Sequence, residues 1–224
     1  MPISVIIPAL NEAAALPATL DSVRRQRPHE ILVVDGGSSD ATCEVAVPFA
    51  RVLTGVRGRA AQMNCGAAQA TGDVLLFLHA DCTLEGGALA EAARLLRKPG
   101  VVAGCFRMSV PLPHFLYRSI DACATFRVRL FGVAYGDQGL FLRRDVFERL
   151  GGFPVLRLME DVFLSLKLRR LGRIAVAKSR VFVSPRRWQK QGVVRQTLRN
   201  WALTALAAGG VHPDRLARFY PNVR

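Results

Sequence analysis

Short runs of apolar residues alternate, along residues 1–100, with longer segments in which apolar positions recur every three or four residues. The short runs predict buried strands, and the longer segments predict amphipathic helices. Such an alternation is typical of a parallel sheet that is covered on both faces. The predicted strands are 3–8, 30–34, 51–54 and 74–78, and the predicted helices are 11–25 with Asn11 as its cap, 41–47, 58–70 and 86–97.

Residues 101–224 follow a less regular pattern. No repeat, low-complexity segment or linker separates them from residues 1–100, so we expect a single α/β domain over 1–224 that is built from two halves. In a helix predicted at 159–171, the spacing turns Val162, Leu166 and either Leu168 or Leu171 inward. The remaining predicted elements are strands at 101–110 and 173–183, a loop and strand over 136–143, and helices at 113–131, 145–150 and 191–208.

Charge is divided unequally between the two halves. The 224 residues include 31 Lys+Arg and 17 Asp+Glu, a net charge of +14. Residues 1–100 carry 9 basic and 10 acidic residues, so residues 101–224 carry 31 − 9 = 22 and 17 − 10 = 7, a net of +15. This basic half indicates either an anionic partner, such as a nucleic acid, a phosphate-bearing substrate or an acidic membrane, or simply a solvated surface.

Cysteine usage and hydropathy favour a reduced, cytoplasmic setting. The five cysteines are scattered without C-x-x-C pairs, which argues against a disulfide framework or a zinc knuckle. The first residues lack the pattern of a signal peptide. The longest uncharged run, 200–213, is shorter than the ~20 residues that span a bilayer.

Polar residues follow the first, second and fourth predicted strands: Asn11 with Glu12, then Asp35, then Asp81. Because the carboxyl ends of parallel strands lie at one edge of a sheet, we expect these side chains to converge there. Converging carboxylates require a compensating cation or hydrogen-bond donor. A divalent metal that bridges two phosphates would supply that compensation.

Several enzyme classes lose support because their motifs are missing. The sequence contains no G-x-G-x-x-G and no G-x-x-x-x-G-K-[ST], which disfavours dinucleotide oxidoreductases and P-loop NTPases. It also lacks H-E-x-x-H and G-x-S-x-G, so hydrolases are disfavoured.

The blocks IPALNEAAALPATLDSV, ILVVDGGSSDAT, GRAAQMNCGAAQATGDVLLFLHADC, GDQGLFLRRDVFERLGGFP and MEDVFLSLKLRRLG occur in this order. Together they resemble the family 2 glycosyltransferases of the GT-A fold over residues 3–190, and most of all a small bacterial subgroup. The resemblance implies a mostly parallel central sheet flanked by helices. It also implies that 1–100 is a Rossmann-like, nucleotide-sugar-binding half and that 101–224 is the acceptor half, which carries the catalytic base.

Matching residues to the family's motifs assigns the donor site. The family's D-D-G-S-x-D stretch is present here with Gly36 in place of its second aspartate. The implied contacts are the first nucleotide loop at Pro8, Ala9, Asn11 and Glu12, the base at Asp35, and the base and phosphate at Arg59 and Asn64.

The family's D-x-D metal motif reads His79-Ala80-Asp81 in this chain. The resemblance implies that Asp81 is the direct ligand of Mn²⁺ or Mg²⁺, with His79 in place of the first aspartate. A neutral imidazole either hydrogen-bonds a sugar hydroxyl or itself ligates the metal. The alternative is that Asp81 is a strand-end residue that faces water, with His79 packed beneath it.

The family's acidic pair at a helix start matches Glu160 and Asp161. Inverting transfer requires a base for the acceptor hydroxyl, and we expect Asp161 in that role, with Glu160 as the alternative. A helix N-terminus stabilises such a carboxylate, so plain helix capping is the competing interpretation. The turn with Asp137 and Gln138 is expected near the acceptor, or has a turn role alone, and Arg187 is expected to neutralise the leaving diphosphate.

The resemblance therefore implies an inverting glycosyltransferase that uses a UDP-sugar or GDP-sugar and a glycan, small-molecule or lipid-linked acceptor. The amphipathic segment 193–208 either packs on the sheet or lies on an anionic membrane, which would make the protein peripheral to the inner membrane face. Two alternatives are a basic protein that binds nucleic acid or a membrane surface, and a nucleotidyltransferase. No nucleic-acid motif is present, and the segment after the first strand reads ALNE rather than a glycine-rich loop with a lysine.

Overall fold

A computed structural model describes residues 1–55 and 57–219; residues 220–224 of the predicted domain lie outside the described part. Within that part, eight strands form one sheet in the order β3-β2-β1-β4-β7-β6-β8-β5. The strands are β1 (Ile3–Ala9), β2 (Glu30–Asp35), β3 (Arg51–Thr54), β4 (Val74–Phe77), β5 (Cys82–Leu84), β6 (Val101–Ser109), β7 (Leu140–Arg143) and β8 (Arg173–Val183). The α-helices are α1 (Leu16–Arg24), α2 (Thr42–Ala46), α3 (Arg59–Gln69), α4 (Ala88–Leu96), α5 (Phe115–Phe131), α6 (Arg144–Arg149), α7 (Glu160–Leu171), α8 (Arg186–Gln191), α9 (Val193–Ala208) and α10 (Pro213–Leu216).

Strand directions bring many chain segments to one edge of the sheet. Strands β1, β2, β3 and β4 are parallel, which confirms the Rossmann-like pattern predicted for residues 1–100. Strand β7 is antiparallel to β4 and β6. Strand β8 is parallel to β6 and antiparallel to β5. The carboxyl ends of β1, β2, β4 and β8 and the amino ends of β5 and β7 therefore share an edge.

Alternate residues of each central strand face opposite core layers. In β1, Val5 and Ile7 pack with helices α1, α2 and α4, whereas Ile6 packs on the other face with α3, α6 and α7. These side chains are fully buried, so both faces of the sheet are covered. This arrangement explains the near-continuous apolar character of the strands.

Helix α1 begins at Leu16 rather than at Asn11. Asn11 adopts a left-handed backbone (φ 53°), and its side-chain oxygen accepts a hydrogen bond from the Ser39 amide at 2.8 Å, so it links two loops and does not cap α1. In α7, Val162 and Leu168 are buried as predicted, but Leu166 and Leu171 are exposed. Leu164 is buried instead of Leu166, because α7 turns a different face toward the sheet.

Helix α9 contacts α5, α8 and α10. Its Leu203 joins a small hydrophobic cluster with Leu158, Met159 and Leu216. The short helix α8, which sequence reasoning missed, precedes it. Among the helices of residues 1–55 and 57–219, none combines the length and the apolar character needed to cross a bilayer.

Candidate active site

A cleft at the shared edge of the sheet encloses about 840 Å³, including the open space at its mouth. The cleft has basic, acidic and apolar walls. The sequence-predicted residues that line it are Arg59, His79, Asp81, Asp137, Asp161 and Arg187.

Hydrogen bonds between the loops after β1 and β2 hold these loops together beside the cleft. The Asn11 amide donates to Ser38 Oγ at 2.8 Å, the Glu12 amide to Thr42 Oγ1 at 2.8 Å, and the Ala13 amide to Asp40. Glu12 is nearly buried as a result. Pro8 and Ala9 are buried in the last residues of β1, and their side chains do not line the cleft described above.

Asp35 organises the turn that follows β2. Its carboxylate accepts hydrogen bonds from the Gly37 and Ser38 amides, both at 2.9 Å, and from Ser38 Oγ at 2.5 Å. Burial raises the pKa of Asp35, but these hydrogen bonds outweigh burial and hold the pKa below its ordinary value. Asp35 is therefore a buried carboxylate within its own turn and outside the lining of the cleft.

Gln62 on α3 connects the ends of the two strands. Its Nε2 donates to the carbonyl of Ala9 at 2.8 Å and to that of Val34 at 2.7 Å, and the side chain is 2% exposed. The Ala9 carbonyl also accepts from the Gly36 amide at 2.9 Å, so Gln62 adds a side-chain hydrogen bond that ties the ends of β1 and β2 to α3. The sequence pattern did not identify Gln62, because a glutamine in an alanine-rich helix has no distinguishing motif.

Arg59 and Glu160 form an ion pair across the cleft wall. Arg59 is the first residue of α3 and Glu160 the first of α7, and Arg59 Nε donates to Glu160 Oε1. Glu160 is 1% exposed, whereas the Arg59 side chain is 22% exposed and reaches the cleft. The ion pair therefore engages Glu160 and leaves its neighbour, Asp161, on the cleft wall.

Asp161 lies at the start of α7 and receives two backbone hydrogen bonds. Its Oδ2 accepts from the Gly136 amide at 2.5 Å, and its Oδ1 accepts from the Val162 amide at 2.7 Å. Burial, together with the negative charge of Glu160, raises the pKa of Asp161 to about 6, although Arg59 and the two amides oppose the shift. A carboxyl group with this pKa is suited to general-base catalysis near neutral pH.

Gly136 separates Asp161 from His79. A Cβ atom at position 136 would lie 3.2 Å from Asp161 Oδ2 and 2.7 Å from His79 Nε2. The acidic start of α7 and the H-A-D segment, 80 residues apart in sequence, are therefore neighbours across one glycine. Only a residue without a side chain fits this position without displacing one of them.

Arg186 connects Glu12 to Asp81. Its NH2 lies 2.6 Å from both carboxylate oxygens of Glu12 and 2.9 Å from Asp81 Oδ2. Burial raises the pKa of Asp81, but the charges of His79 and Arg186 outweigh it, so the pKa lies below its ordinary value. Sequence reasoning selected Arg187 and missed Arg186; the pairing of Cys82 with Val183 is what carries Arg186 to Asp81.

His79, Asp81 and Cys82 have ligand atoms that all lie within 4.8 Å of one another. A carboxylate suits both Mn²⁺ and Mg²⁺, and of these two ions Mn²⁺ accepts an imidazole ligand more readily, because Mg²⁺ is the harder cation. Burial raises the pKa of the Cys82 thiol well above its ordinary value, so the thiol is a poor ligand. The donor set therefore fits Mn²⁺ through His79 and Asp81, with Arg186 occupying one side of the Asp81 carboxylate.

In the turn before β7, the neighbouring side chains of Asp137 and Gln138 have different surroundings. Gln138 is buried, and its Oε1 accepts a hydrogen bond from Arg127 at 2.7 Å, so it stabilises the turn and does not line the cleft. Asp137 lines the cleft, and its buried Oδ1 accepts no hydrogen bond from the described residues. Burial raises the pKa of Asp137, while Arg127 and Arg187 oppose the rise.

Asn64 faces away from the cleft. Its side-chain amide donates to the carbonyl of Phe153 and accepts from the Phe153 amide, both at 2.9 Å. This two-way pairing fixes the loop between α6 and α7. Ala80 is also buried, and its carbonyl accepts from Thr19 Oγ1 at 2.8 Å. Neither residue is among those lining the cleft.

Comparison with known proteins supports one family. The model of the family described as Glycosyl transferase family 2 matches residues 4–151. A PGL/p-HBAD biosynthesis glycosyltransferase of Mycobacterium bovis is 46% identical over 105 residues, which are 42% of this chain and 41% of the relative. Glycosyltransferase AglE of Haloferax volcanii is 31% identical over 170 residues, which are 68% of this chain and 56% of the relative. The chain thus spans between two fifths and three fifths of the length of these two relatives.

Solved structures share the fold. S. aureus TarS 1–349 in complex with UDP has a TM-score of 0.65 at 21% identity, over 83% of this chain and 61% of that chain. The mannosyltransferase PcManGT from Pyrobaculum calidifontis, in complex with GDP-Man and Mn²⁺, has a TM-score of 0.61 at 25% identity, over 79% of this chain and 56% of that chain. The GT-A architecture expected from the sequence is confirmed by these likenesses.

Proposed function

Since the chain belongs to glycosyltransferase family 2, we propose that it transfers a sugar from a nucleoside-diphosphate sugar to a hydroxyl acceptor with inversion at the anomeric carbon. The observation that carries the proposal is the juxtaposition of Asp161 and His79 across Gly136. The proposal is supported by a carboxyl group of raised pKa, that of Asp161, which lies beside the H-A-D segment where the family resemblance expects the donor. In inverting transfer the acceptor hydroxyl, with its base, attacks the anomeric carbon from the face opposite the leaving diphosphate, so the base and the diphosphate site must both lie near that carbon.

The nucleotide is assigned to the loops after β1 and β2. In this proposal the nucleotide lies beside the cleft, against the backbone of the loop that holds Pro8, Ala9, Asn11 and Glu12, and Asp35 at the end of β2 accepts a hydrogen bond from the base. The low pKa of Asp35 keeps it ionised and therefore an acceptor. Arg59, partly exposed at the start of α3, contacts phosphate; Asn64 is left out because Phe153 engages its amide.

Neutralisation of the charge on the leaving diphosphate is assigned to Arg187 and to a divalent ion. The residues that would hold the ion are Asp81 and His79, and the donor set favours Mn²⁺. The chemistry that such an ion supplies when bound is neutralisation of the charge that grows on the departing diphosphate. Arg187 lines the same cleft and supplies permanent positive charge to the same group.

Asp161 is assigned as the base that takes the proton of the acceptor hydroxyl as that oxygen attacks. Its backbone hydrogen bonds fix the carboxylate, and the raised pKa increases its basicity. Glu160 is assigned a positioning role, because it is paired with Arg59 and does not itself line the cleft. Asp137, whose buried oxygen has no partner among the described residues, is assigned to an acceptor hydroxyl.

Calorimetric titration of the purified protein with UDP and GDP, with and without Mn²⁺, tests donor binding. We expect one nucleotide to bind, and to bind more tightly with Mn²⁺. The matched variant Asp161→Asn should bind that nucleotide within about twofold of the wild type and should lose transfer by about 10²–10⁴-fold. Absence of binding to either nucleotide under all conditions would contradict the proposal, and NMR of the product's anomeric proton tests inversion.

A further inference from the structure

Helix α9 has two contrasting faces. Gln196 and Leu203 are buried toward the cleft, and Tyr135 Oη hydrogen-bonds Thr204 Oγ1 at 2.8 Å, which fixes the helix to the turn before β7. On the opposite face, large apolar side chains are exposed at positions i, i+4 and i+7, which form one stripe: Val194, Leu198 and Trp201, the last 54% exposed. Leu206, one turn further and beside this stripe, is also exposed.

Helix α5 also exposes large apolar side chains. Phe126 is 61% exposed, although the helix buries Tyr117, Ala124 and Val128 on its inner face. Single exposed apolar residues are ordinary, but a cluster of large ones marks an interaction site. The exposed members on α5 are Phe115, Phe126, Leu130 and Phe131.

The two exposed faces are continuous. Helices α5 and α9 are in contact, and Ile120 and Cys123 of α5 line one crevice together with Trp201 of α9. Tyr135 and Asp137 line both this crevice and the candidate active site. The exposed large apolar residues of the two helices, called here the α5–α9 face, therefore lie next to the cleft: Phe115, Phe126, Leu130 and Phe131 of α5, and Val194, Leu198, Trp201 and Leu206 of α9.

Positive charge borders the α5–α9 face. On the side of α5 away from α9, an open groove is lined by four arginines, together with Phe126 of the face itself. Two carboxylates lie against these arginines: Asp121 pairs with Arg118 at 3.2 Å, and Glu85 pairs with Arg180 at 3.0 Å. The groove therefore keeps a net positive charge. Its arginines are Arg107, Arg118, Arg129 and Arg180.

We propose that the α5–α9 face and the arginine groove dock on an anionic phospholipid bilayer. Aromatic and aliphatic side chains bordered by arginines suit the boundary between acyl chains and anionic headgroups. A second copy of the chain would bring two positive grooves near each other. A nucleic acid would place the exposed phenylalanines against a charged backbone. The docking does not depend on sugar transfer. If both hold, the cleft lies close to the bilayer, where a lipid-linked acceptor is presented.

Flotation with phosphatidylcholine vesicles, and with vesicles that contain three parts phosphatidylglycerol to seven parts phosphatidylcholine, tests the docking. We expect binding to the anionic vesicles at low salt, little binding to the neutral ones, and release at 0.5 M NaCl. Trp201→Ser and Phe126→Ser should each weaken binding by about tenfold or more, because each removes a large inserted side chain. Arg129→Gln should weaken it by about fivefold.

Phe49→Ser is the matched control, since Phe49 is an exposed aromatic residue between α2 and β3, far along the chain from the α5–α9 face. It should bind vesicles like the wild type. Fluorescence supplies a second measurement: of the two tryptophans, Trp188 is buried and Trp201 exposed, so anionic vesicles should shift the emission to the blue through Trp201.

Three results would overturn the proposal. The first is no vesicle binding by the wild type at low salt, and the second is equal binding to neutral and anionic vesicles that Trp201→Ser leaves unchanged. The third is a dimer in light scattering that Trp201→Ser dissociates while the wild type ignores vesicles, which would assign the face to a second copy. Circular dichroism and thermal unfolding of each variant confirm its folding and depend on neither vesicles nor nucleotide.

Discussion

Replacement of Arg186 by glutamine should make the protein less stable and more dependent on Mn²⁺. Arg186 neutralises Glu12 and Asp81 together, and both of these carboxylates are more buried than the arginine itself. Without it, two partly buried negative charges face each other across the space that the guanidinium filled. The variant therefore loses an internal cation and exposes the whole Asp81 carboxylate to an added one.

The expected loss of stability follows from burial. Removing one partner of a fully buried ion pair costs about 3–5 kcal/mol. The Arg186 side chain is 32% exposed, and solvent screening reduces the cost to about 1–3 kcal/mol. For a domain of this size that loss lowers the melting temperature by about 2–12 °C. Mn²⁺ should then restore more stability in the variant than it adds to the wild type, because it no longer competes with Arg186 for Asp81.

Thermal unfolding with and without Mn²⁺, combined with Mn²⁺ binding followed by electron paramagnetic resonance, measures both effects. Arg180→Gln is the matched control, since its ion pair with Glu85 lies at 3.0 Å but is half-exposed, and we expect a loss below about 1 kcal/mol. We expect about tenfold tighter Mn²⁺ binding in Arg186→Gln, which is about 1.4 kcal/mol. Equal losses in the two variants, or weaker Mn²⁺ binding in Arg186→Gln, would refute the reasoning.

Three further changes test the acidic start of α7 and the residues around it. Because Asp161 has a pKa of about 6, the rate of transfer should rise with pH up to about pH 6. The free energy of unfolding should fall as pH rises toward and through this pKa, since the folded state favours the protonated carboxyl group. Asp161→Asn should flatten this pH dependence of stability in urea titrations at pH 4.5–7.5. Gly136→Ala should cut transfer by at least about tenfold, because its Cβ would contact His79 and Asp161, and a wild-type rate would contradict this geometry. Asn64→Ala should cost about 2 kcal/mol in urea unfolding through the lost pairing with Phe153, while calorimetry shows unchanged nucleotide affinity.

The sequence predicts correctly those elements whose buried residues follow a regular hydrophobic spacing along the chain. The apolar runs of β1, β2 and β4 predicted a parallel sheet, because burial on both faces removes polar residues from such strands. Position at strand ends also placed Asp81 at the edge where the cleft lies. Periodicity was less informative for α7, where Leu166 is exposed although it follows the apolar spacing.

Contacts between distant segments were not predictable, because they depend on how strands order themselves in the sheet. Strand β5 is only three residues long, yet its antiparallel pairing with β8 sets Cys82 opposite Val183. That register, rather than any motif, decides that Arg186 reaches Asp81 while Arg187 lines the cleft beside it. Adjacent arginines look equivalent in sequence, and one residue of slippage in this pairing would move the whole segment that follows β8. The division of roles between the two arginines therefore follows from the pairing of β5 with β8. The Arg186→Gln experiment tests that pairing too, because the expected losses arise only if the register brings Arg186 to Asp81.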